Sequence, residues 1–330
     1  VLCACTPVEG GERDDGPVAL RLGYFPNVTH AAALVGIEEG LIADALGEGA
    51  ELETQAFNAG PDVIEAIFNG ALDASFIGPN PAINGFTRSN GEAIRIVSGA
   101  TSGGAALVVR EGITSVEQLA GTTLATPQLG NTQDVALRAW LAEQGYETDL
   151  EGGGDVSVVP QSNGDALTAF AAGDIDGAWV PEPWATRMVE EGGGTVLVDE
   201  RDLWPNGRFV TTHLIVATEF LEEHPDVVRG LLAGHVAATD MLLEDPERAQ
   251  DIVSGAIAKL TDTELPAGTL AAAWENLEFT VDPIATSLAA SASDAVALGL
   301  LDNGDIDGIY DLALLNDVLT ELGRNGIRQP

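Results

Sequence analysis

Residues 61–77 read PDVIEAIFNGALDASFI, and residues 164–180, which begin 103 positions later, read GDALTAFAAGDIDGAWV. In both stretches an Asp lies near the start of a predicted helix, a Gly ends that helix, and a second Asp precedes an apolar run typical of a buried strand. Each strand then leads into a loop that contains prolines, at 78–81 and at 181–184. We interpret this repeat as two α/β lobes of similar build. A chance match between two ordinary helix–glycine–strand units is the alternative.

The chain from Ala19 onward alternates short apolar runs with amphipathic helical patterns, which is typical of an α/β protein with largely parallel sheets. The predicted strands are 19–24, 51–56, 74–77, 94–98, 106–109, 123–125, 156–159, 177–180 and 195–198. The predicted helices between them are 30–46, 61–69, 132–144, 165–172 and 184–191, and the chain from about 218 is predicted to be mostly helical. The expected fold class is therefore α/β, with two lobes.

The composition is strongly acidic but not that of a disordered chain. The 330 residues include 52 Asp and Glu against 14 Lys and Arg, a formal net charge of −38, and 45% of the residues are hydrophobic. That apolar fraction is ordinary for a folded core. Nucleic acids and anionic membrane surfaces bind through basic patches, so we expect neither as a partner. The sequence contains no run of 18 apolar residues, so it predicts no membrane-spanning helix.

The amino terminus has the pattern of a lipid-anchored protein. The sequence Val-Leu-Cys-Ala-Cys at 1–5 resembles the end of a bacterial lipoprotein signal, which predicts Cys5 as the lipidated residue, although Cys3 stands where Ala or Ser is usual. A structural or chance pair of cysteines is the alternative. Residues 6–17 are acidic, rich in Gly and nearly free of apolar side chains, so we expect residues 1–17 to form an anchor and a flexible tether.

Five segments are candidates for a ligand site, because open parallel sheets bind ligands at the carboxyl ends of their strands and two facing lobes would bring those ends together. They are 25–30, 78–80, 100–104, 127–133 and 181–184. These segments are rich in Thr, Ser, Asn, Gln and Gly, they contain no Lys or Arg, and all except 100–104 lead into a predicted helix. Free backbone N–H groups and hydroxyls suit an anion, and neutral donors favour a sulfonate over a doubly charged phosphate. Ordinary capping and turn formation is the alternative for each Ser or Thr. Segment 100–104 has no helix to cap, which favours a functional role.

Three side chains in these segments have distinct alternatives. His30 could donate to an anion or sense its charge, or it could be a first-turn helix residue with a local partner. Glu182 is the sole acid of the five segments, and it could meet an amine on the ligand or cap the following helix. Trp184 could cover an alkyl or aromatic tail, whereas Trp179 is expected in the core.

Motifs of catalysis are missing from the sequence. It contains no Gly-x-Ser-x-Gly elbow, no His-Glu-x-x-His, no P-loop, and no Gly-x-Gly-x-x-Gly after the first strand. The four histidines, His30, His213, His224 and His235, lack the spacing of metal ligands. We therefore expect no catalytic residues, no metal and no cofactor.

Several stretches resemble the aliphatic-sulfonate-binding proteins of bacterial ABC importers, whose relatives bind taurine, nitrate and thiamine precursors. They are LRLGYFP at 20–26, FNAGP at 57–61, IGPNP at 77–81, PQLGNTQD at 127–134, WVPEPW at 179–184, DERDLWP at 199–205 and FTVDP at 279–283. The similarity covers nearly the whole chain after the tether. It implies a periplasmic-binding-protein-like fold of type II, in which two lobes joined by two crossing strands close on a ligand held in the cleft between them.

The resemblance also implies boundaries and site residues. Crossings near 108–111 and 211–216 would make lobe one discontinuous, with residues 18–110 and 213–330, and lobe two would comprise 111–212. The ligand-binding residues implied are Pro26, Asn27, Thr29, His30, Asn80, Thr101, Ser102, Gln128, Asn131, Thr132, Glu182 and Trp184.

The function expected from these observations is that of a non-enzymatic solute receptor, which captures an alkanesulfonate or similar small organic anion and delivers it to an ABC permease with its ATPase. We expect a monomer in the cell envelope, either lipid-anchored on the outer face of the cytoplasmic membrane or periplasmic. Taurine, nitrate, a phosphonate or a thiamine precursor are alternative ligands. An enzyme on the same fold, of the thiamine-pyrimidine or menaquinone pathway type, is the alternative of a different class. The pyrimidine-forming enzymes carry a cysteine-rich motif that this sequence lacks.

Overall fold

A computed structural model describes residues 16–329 of the chain. The predicted lipidation site Cys5 and most of the predicted tether lie outside the described residues. Eleven strands are found in this part of the chain: β1 (Val18–Tyr24), β2 (Ala50–Ala56), β3 (Ala74–Ile77), β4 (Ile94–Gly103), β5 (Ala105–Val109), β6 (Thr123–Thr126), β7 (Ser157–Pro160), β8 (Gly177–Pro181), β9 (Thr195–Asp199), β10 (Val210–Ala217) and β11 (Leu277–Phe279).

Thirteen α-helices accompany these strands within residues 16–329. They are α1 (Ala31–Glu38), α2 (Leu41–Leu46), α3 (Gly60–Phe68), α4 (Pro79–Arg88), α5 (Thr132–Glu143), α6 (Asn163–Ala172), α7 (Trp184–Glu190), α8 (Thr218–Glu223), α9 (Pro225–Glu244), α10 (Pro246–Thr261), α11 (Ala267–Trp274), α12 (Ala285–Ala297) and α13 (Ala313–Glu321). None of the helices in the described part of the chain has the length and apolarity to cross a membrane.

The strands form two sheets with the same central arrangement. The first sheet has the order β11-β4-β10-β3-β1-β2, and the second has the order β7-β6-β8-β5-β9. In the first, β2, β1 and β3 are parallel and β10 runs antiparallel beside β3. In the second, β7, β6 and β8 are parallel and β5 runs antiparallel beside β8. We call the units built on these sheets the first and second lobes. The repeat in the sequence therefore corresponds to a repeat in strand order.

The helix ends of the repeat also match. Helix α3 is followed by Gly70 with a φ of 65°, and α6 ends at Gly173 with a φ of 84°. Side chains rarely adopt this left-handed conformation, so glycine is the residue that ends each helix and turns the chain into the next strand.

Each lobe has its own apolar core. The first sheet packs in one large cluster that includes Leu22, Phe76 and Leu231. In the second lobe alternate residues of β5 enter different clusters, Leu107 on one face of the sheet and Val108 on the other. A strand buried on both faces has no alternation of apolar and polar residues, which explains the continuous apolar run at this point of the sequence.

Three details of the secondary structure differ from the prediction. The predicted helix 30–46 is two helices, because Gly40 adopts a left-handed φ of 72° between α1 and α2. The predicted loop at 78–81 is the N-cap and first turn of α4, where proline is well tolerated because the first helical N–H groups have no intrahelical partner. Segment 100–104 is not a loop, because β4 continues to Gly103 and pairs there with β10 and β11.

The chain passes between the sheets at two places. It leaves β4 of the first sheet at Gly103 and enters β5 of the second at Ala105, and it returns between Asp199 and Val210. The sheet pairing thus assigns 105–109 to the second sheet, whereas the lobe boundaries predicted at 110 and 212 lie a few residues further on. Those boundaries stay a prediction.

Candidate ligand-binding site

A small polar cavity lies where the two lobes meet. Its volume is about 20 Å³, which is room for one or two water molecules. The first lobe contributes Phe25, Asn27, Thr29, Asn58, Gly78 and Thr211 to its wall, and the second contributes Pro127, Asn131, Thr132, Gln133, Asn163 and Pro181. None of these residues is charged. We call this space the inner cavity.

Parallel strands explain why these residues meet. The segments after β1, β2 and β3 approach the cavity from the first lobe, and those after β6, β7 and β8 approach it from the second. Apart from Thr211, which lies near the start of β10, the wall is therefore built at the carboxyl ends of six strands, which is the usual position of a ligand site in open α/β sheets.

The lobes are in close contact at one point of the wall. Gly78 precedes α4 in the first lobe, and a Cβ atom placed on it would overlap the side-chain oxygen of Thr132 at the start of α5 in the second lobe. The φ of Gly78 is −71°, which any residue adopts. Its lack of a side chain is therefore required by the approach of the lobes and not by its backbone conformation.

Two polar atoms of the wall have no hydrogen-bond partner among the described residues. They are the hydroxyl oxygen of Thr132 and the side-chain oxygen of Asn163, and both are buried. Asn131 caps α5 by accepting a hydrogen bond from the Thr132 N–H at 2.6 Å. Since buried polar groups are normally paired, the unpaired hydroxyl and amide suit a polar occupant of the inner cavity.

Four of the predicted site residues line the inner cavity: Asn27, Thr29, Asn131 and Thr132. Asn27 also links the lobes, because its side-chain oxygen accepts a hydrogen bond from the Trp184 indole N–H at 3.0 Å.

His30 lies behind the wall and not in it. It is buried, its ring packs on Phe25 with centroids 4.3 Å apart, and its Nδ1 accepts a weak hydrogen bond from the Phe25 N–H at 3.4 Å. Burial lowers the pKa of His30 to about 3. Its imidazole is therefore neutral near pH 7 and supplies no positive charge to an anion.

The structure places Thr101 and Ser102 in the strand that supports the wall. The Thr101 hydroxyl donates to the backbone oxygen of Thr29 at 2.7 Å, and the Ser102 hydroxyl oxygen accepts from the Phe209 N–H at 3.3 Å. Thr101 thus positions a residue of the wall without facing the inner cavity.

Asn80 and Gln128 are also near the cavity but do not line it. The Asn80 side-chain amide donates to the backbone oxygen of Ser291 at 3.3 Å, and Asn80 is buried. Gln128 is half-buried, and its side-chain oxygen has no hydrogen-bond partner among the described residues. The role predicted for these two residues stays a prediction.

Glu182 connects the two lobes through a hydrogen bond to Asn276. It is only 2% exposed, and its carboxylate accepts hydrogen bonds from the Thr186 N–H at 3.1 Å, the Thr186 hydroxyl at 3.0 Å and the Asn276 side-chain amide at 2.7 Å. Burial raises the pKa of Glu182, and these hydrogen bonds oppose the rise. The carboxylate thus caps α7 and reaches the first lobe, as the capping alternative predicted, and it does not line the inner cavity.

Pro26 and Trp184 line a second, wider space beside the inner cavity. Its volume is about 310 Å³, and we call it the outer cavity. Trp184 is half-buried, and the Arg187 guanidinium lies 4.8 Å from its ring centroid.

Sequence reasoning missed three residues of the wall that lie outside the five segments. Asn58 and Asn163 follow β2 and β7 at the starts of α3 and α6, so the same rule of strand followed by helix could have found them. Thr211 comes at the beginning of β10, an antiparallel strand. Its position depends on the return crossing between the sheets, for which the sequence holds no local signal. Five further wall residues lie within the predicted segments but are not among the predicted ligand-binding residues: Phe25, Gly78, Pro127, Gln133 and Pro181.

No group of three or more His, Cys, Asp or Glu side chains in residues 16–329 is arranged to hold a metal ion.

Two similar lobes with a polar cavity at the carboxyl ends of their strands define the class of two-lobed substrate-binding proteins that serve ABC importers. The chain belongs to the NMT1-like family, whose sequence profile matches residues 13–257. The resemblance and the periplasmic-binding-protein-like fold predicted from the sequence are both confirmed.

Three known proteins illustrate the relationship. A Brucella abortus protein, named only as a binding protein, is 26% identical over 253 residues, which cover 72% of this chain and 76% of the relative. The taurine-binding periplasmic protein of Escherichia coli is 25% identical over 199 residues, 60% of each chain. The alkanesulfonate-binding protein SsuA of Xanthomonas axonopodis pv. citri, solved with MOPS bound, superposes with a TM-score of 0.71 at 20% identity, covering 87% of this chain and 96% of SsuA. At 20% identity, the similarity to SsuA is evidence for the fold alone.

Proposed function

We propose that this protein is an extracytoplasmic receptor of an ABC importer that binds a singly charged small organic anion, with an alkanesulfonate as the leading ligand. The observation that supports this proposal most directly is the wall of the inner cavity, which joins neutral hydrogen-bonding side chains from both lobes around one small polar space. The relatives named for taurine and alkanesulfonate binding support the same class of ligand.

Hydrogen bonds would supply most of the affinity. The amino terminus of α5 contributes about 0.3–1 kcal/mol to a nearby anion, whereas each hydrogen bond to a charged group contributes about 1.5–3 kcal/mol. Thr132, at the start of α5, offers a hydroxyl that has no protein partner. A doubly charged phosphonate would lose more hydration on entry and would find no Lys or Arg in the wall.

The position of Glu182 favours a plain sulfonate over taurine. The ammonium group of taurine needs a carboxylate when it is buried. No carboxylate lines the inner cavity among the described residues, and the Glu182 carboxylate is held by Thr186 and Asn276. An alkyl group of the same shape needs no carboxylate partner.

Isothermal calorimetry with 1-propanesulfonate, taurine, nitrate, methylphosphonate and a thiamine-type pyrimidine tests the proposal. We expect 1-propanesulfonate to bind, and taurine, which has nearly the same shape, to bind at least about tenfold more weakly.

Thr132→Val removes the unpaired hydroxyl and should weaken 1-propanesulfonate binding by about tenfold. Thr320→Val is the matched control, since Thr320 is exposed on α13 and its hydroxyl bonds to its own helix at Asn316.

The absence of heat with any sulfonate would refute the ligand class, and heat with the pyrimidine alone would point to a thiamine precursor. Lobe closure on the ligand, delivery to a permease with its ATPase, anchoring through Cys5 and a monomeric state belong to the same proposal. Turnover of the bound ligand, detected by mass spectrometry, would instead support an enzyme on this fold.

A further inference from the structure

A third cavity lies between the lobes, and it shares no lining residue with the inner or the outer cavity. Its volume is about 540 Å³, which is within the range of small-molecule sites. Its wall consists of residues from α5 of the second lobe, from the return crossing at 200–208, and from Ile284 and α12 of the first lobe. We call this space the lateral cavity.

Helix α5 separates the lateral cavity from the inner cavity. Thr132 and Gln133 at its start line the inner cavity, whereas four residues from Ala136 to Glu143 line the lateral cavity. A helix rises by about 1.5 Å per residue, so Glu143 lies about 16 Å along the axis from Thr132. The lateral cavity is therefore not part of the space proposed for the anion.

Two indole rings in the wall are held by aromatic neighbours. Trp140 is 6% exposed and packs on Trp179, with ring centroids 5.9 Å apart. Trp204 is half-buried and stacks on Phe209, with centroids 5.8 Å apart and the ring planes at 16°. Both indoles line the lateral cavity. Such rings contact the apolar body of a ligand, and their faces attract cations.

Two carboxylates from opposite lobes line the lateral cavity without a counter-ion. They are Asp294 of α12 and Glu143 of α5, and none of the ion pairs formed within residues 16–329 includes either. Burial raises the pKa of Asp294, and the charge of Glu143 raises it further. The two carboxylates thus repel each other across the boundary of the lobes, and a cation between them would relieve this repulsion.

The positive charge in the wall is already compensated. Arg208 pairs with Glu278 at 2.9 Å and lies 3.9 Å from Asp282. Glu200, which is 3% exposed, adds a third carboxyl group to the wall, and the Trp179 indole N–H donates to it at 2.8 Å. An anion would therefore meet a surplus of carboxyl groups. A bare metal ion would find no group of three or more His, Cys, Asp or Glu side chains arranged to hold it in residues 16–329.

We propose that the lateral cavity is a second binding site, which takes an organic cation with an aromatic or alkyl body. The indoles of Trp140 and Trp204 would contact the body, and the carboxylates of Glu143 and Asp294 would bind the cationic group. Because these carboxylates come from different lobes, the occupant would link the lobes at a distance from the inner cavity. The inference does not depend on which anion the inner cavity holds.

Calorimetry with phenethylamine and its neutral analogue 2-phenylethanol tests the inference. The salt concentration should be about 0.15 M, where the Debye length of about 8 Å limits general attraction to the acidic exterior. We expect phenethylamine to bind with one molecule per chain, and 2-phenylethanol to bind at least about tenfold more weakly, because it leaves the carboxylates unpaired. Equal affinities, or no binding of phenethylamine, would overturn the inference.

Variants that remove one charge and keep the shape of the side chain locate the site. Asp294→Asn should weaken phenethylamine binding by about tenfold, because Asp294 is half-buried, and Glu143→Gln by about threefold, because Glu143 is exposed. Asp251→Asn, on the exposed face of α10, removes the same charge elsewhere and should change binding less than twofold. Equal effects in Asp294→Asn and Asp251→Asn would show a general attraction to the acidic surface and overturn the inference. No anion is used in these measurements, so that result would leave the proposed function standing.

Discussion

The two copies of the repeat have nearly the same internal chemistry. Before β3, Asp73 accepts hydrogen bonds from the backbone N–H of Arg21 at 2.8 Å and from its guanidinium. Before β8, Asp176 accepts from the backbone N–H of Thr123 at 2.8 Å and pairs with Arg110 at 3.1 Å. Each aspartate thus links the beginning of one strand to the neighbouring strand, which accounts for the same residue at an offset of 103 positions.

The copies differ beyond their last strand. Gly78 follows β3 and allows the second lobe to approach, whereas the equivalent residue, Pro181, ends β8 and is followed by Glu182, which caps α7 and binds Asn276 of the first lobe. The repeated part builds the scaffold of each lobe. The residues that follow it differ: those of the first lobe leave room for the second lobe to approach, and those of the second lobe bond to the first. This comparison can be tested at three points.

The largest effect is expected at Gly78. In Gly78→Val the added side chain would overlap Thr132, so the lobes could not reach the observed contact. The apparent affinity falls in proportion to the fraction of protein that can reach the binding-competent state. We therefore expect ligand binding to weaken by at least about a thousandfold in calorimetry. The melting temperature should stay close to that of the original protein, because the φ of Gly78 suits any residue. Gly268→Ala, with open space around it, is the control. Unchanged binding in Gly78→Val would mean that the contact of the lobes is not needed for capture.

The second effect concerns one buried titratable group on each side, His235 and Glu200, whose pKa values are shifted in opposite directions because one is a base and the other an acid. In the first lobe burial lowers the pKa of His235 to about 4, although its ring N–H donates to the Gly99 carbonyl at 2.8 Å. On the second-lobe side burial raises the pKa of Glu200 to about 7, although the Trp179 indole N–H donates to its carboxylate at 2.8 Å. The unfolded chain therefore binds more protons than the folded one at His235 between about pH 6.5 and 4, and fewer at Glu200 between about pH 7 and 4.5.

Acidification should thus remove stability through His235 and restore it through Glu200, by about 3 kcal/mol at most for each group. In urea unfolding across this range, His235→Gln should make stability fall less steeply as the pH drops from about 6.5 to 4. Glu200→Gln should make it fall more steeply between about pH 7 and 4.5. Identical pH profiles for the two variants would contradict the assignment.

The smallest effect distinguishes the two aspartates of the repeat. The Asp73 side chain is 6% exposed and that of Asp176 is 26% exposed. Hydrogen bonds to a charged group contribute more to stability when water is excluded. Asp73→Ala should therefore reduce the free energy of unfolding by about 2 kcal/mol, and Asp176→Ala by about 1 kcal/mol. Urea unfolding at neutral pH measures both. A larger loss for Asp176→Ala would show that the scaffold of the second lobe depends more on this contact.

The sequence predicted the elements whose pattern is local. The predicted strand 74–77 and helix 132–144 agree with β3 and α5 to within one residue, because each is bounded by residues that begin or end such an element. The family resemblance implied Asn27, Thr29, Asn131 and Thr132, and the two segments that contain them were predicted for a related reason. Each segment connects a strand to a helix, and parallel strands bring such positions to one edge of the sheet.

Other features depend on contacts between distant residues. The length of β4 follows from its pairing with β10 and β11, more than 100 positions away, which turned a predicted loop at Thr101 and Ser102 into strand. The partner of Glu182 is Asn276, 94 positions along the chain. No local sequence pattern predicts such a pairing, because the paired residues meet only after the chain has crossed between the sheets.

By itself, the sequence determined that this protein has two α/β lobes of similar build, an acidic exterior and neutral donors after its strands, since hydrophobic periodicity and helix-end residues act within a few positions. The tertiary structure alone decided which of those donors face the inner cavity, which support it from behind, and that Trp184 of the second lobe donates a hydrogen bond to Asn27 of the first. The reason is that each of these roles is set by the approach of two lobes whose residues meet only after folding.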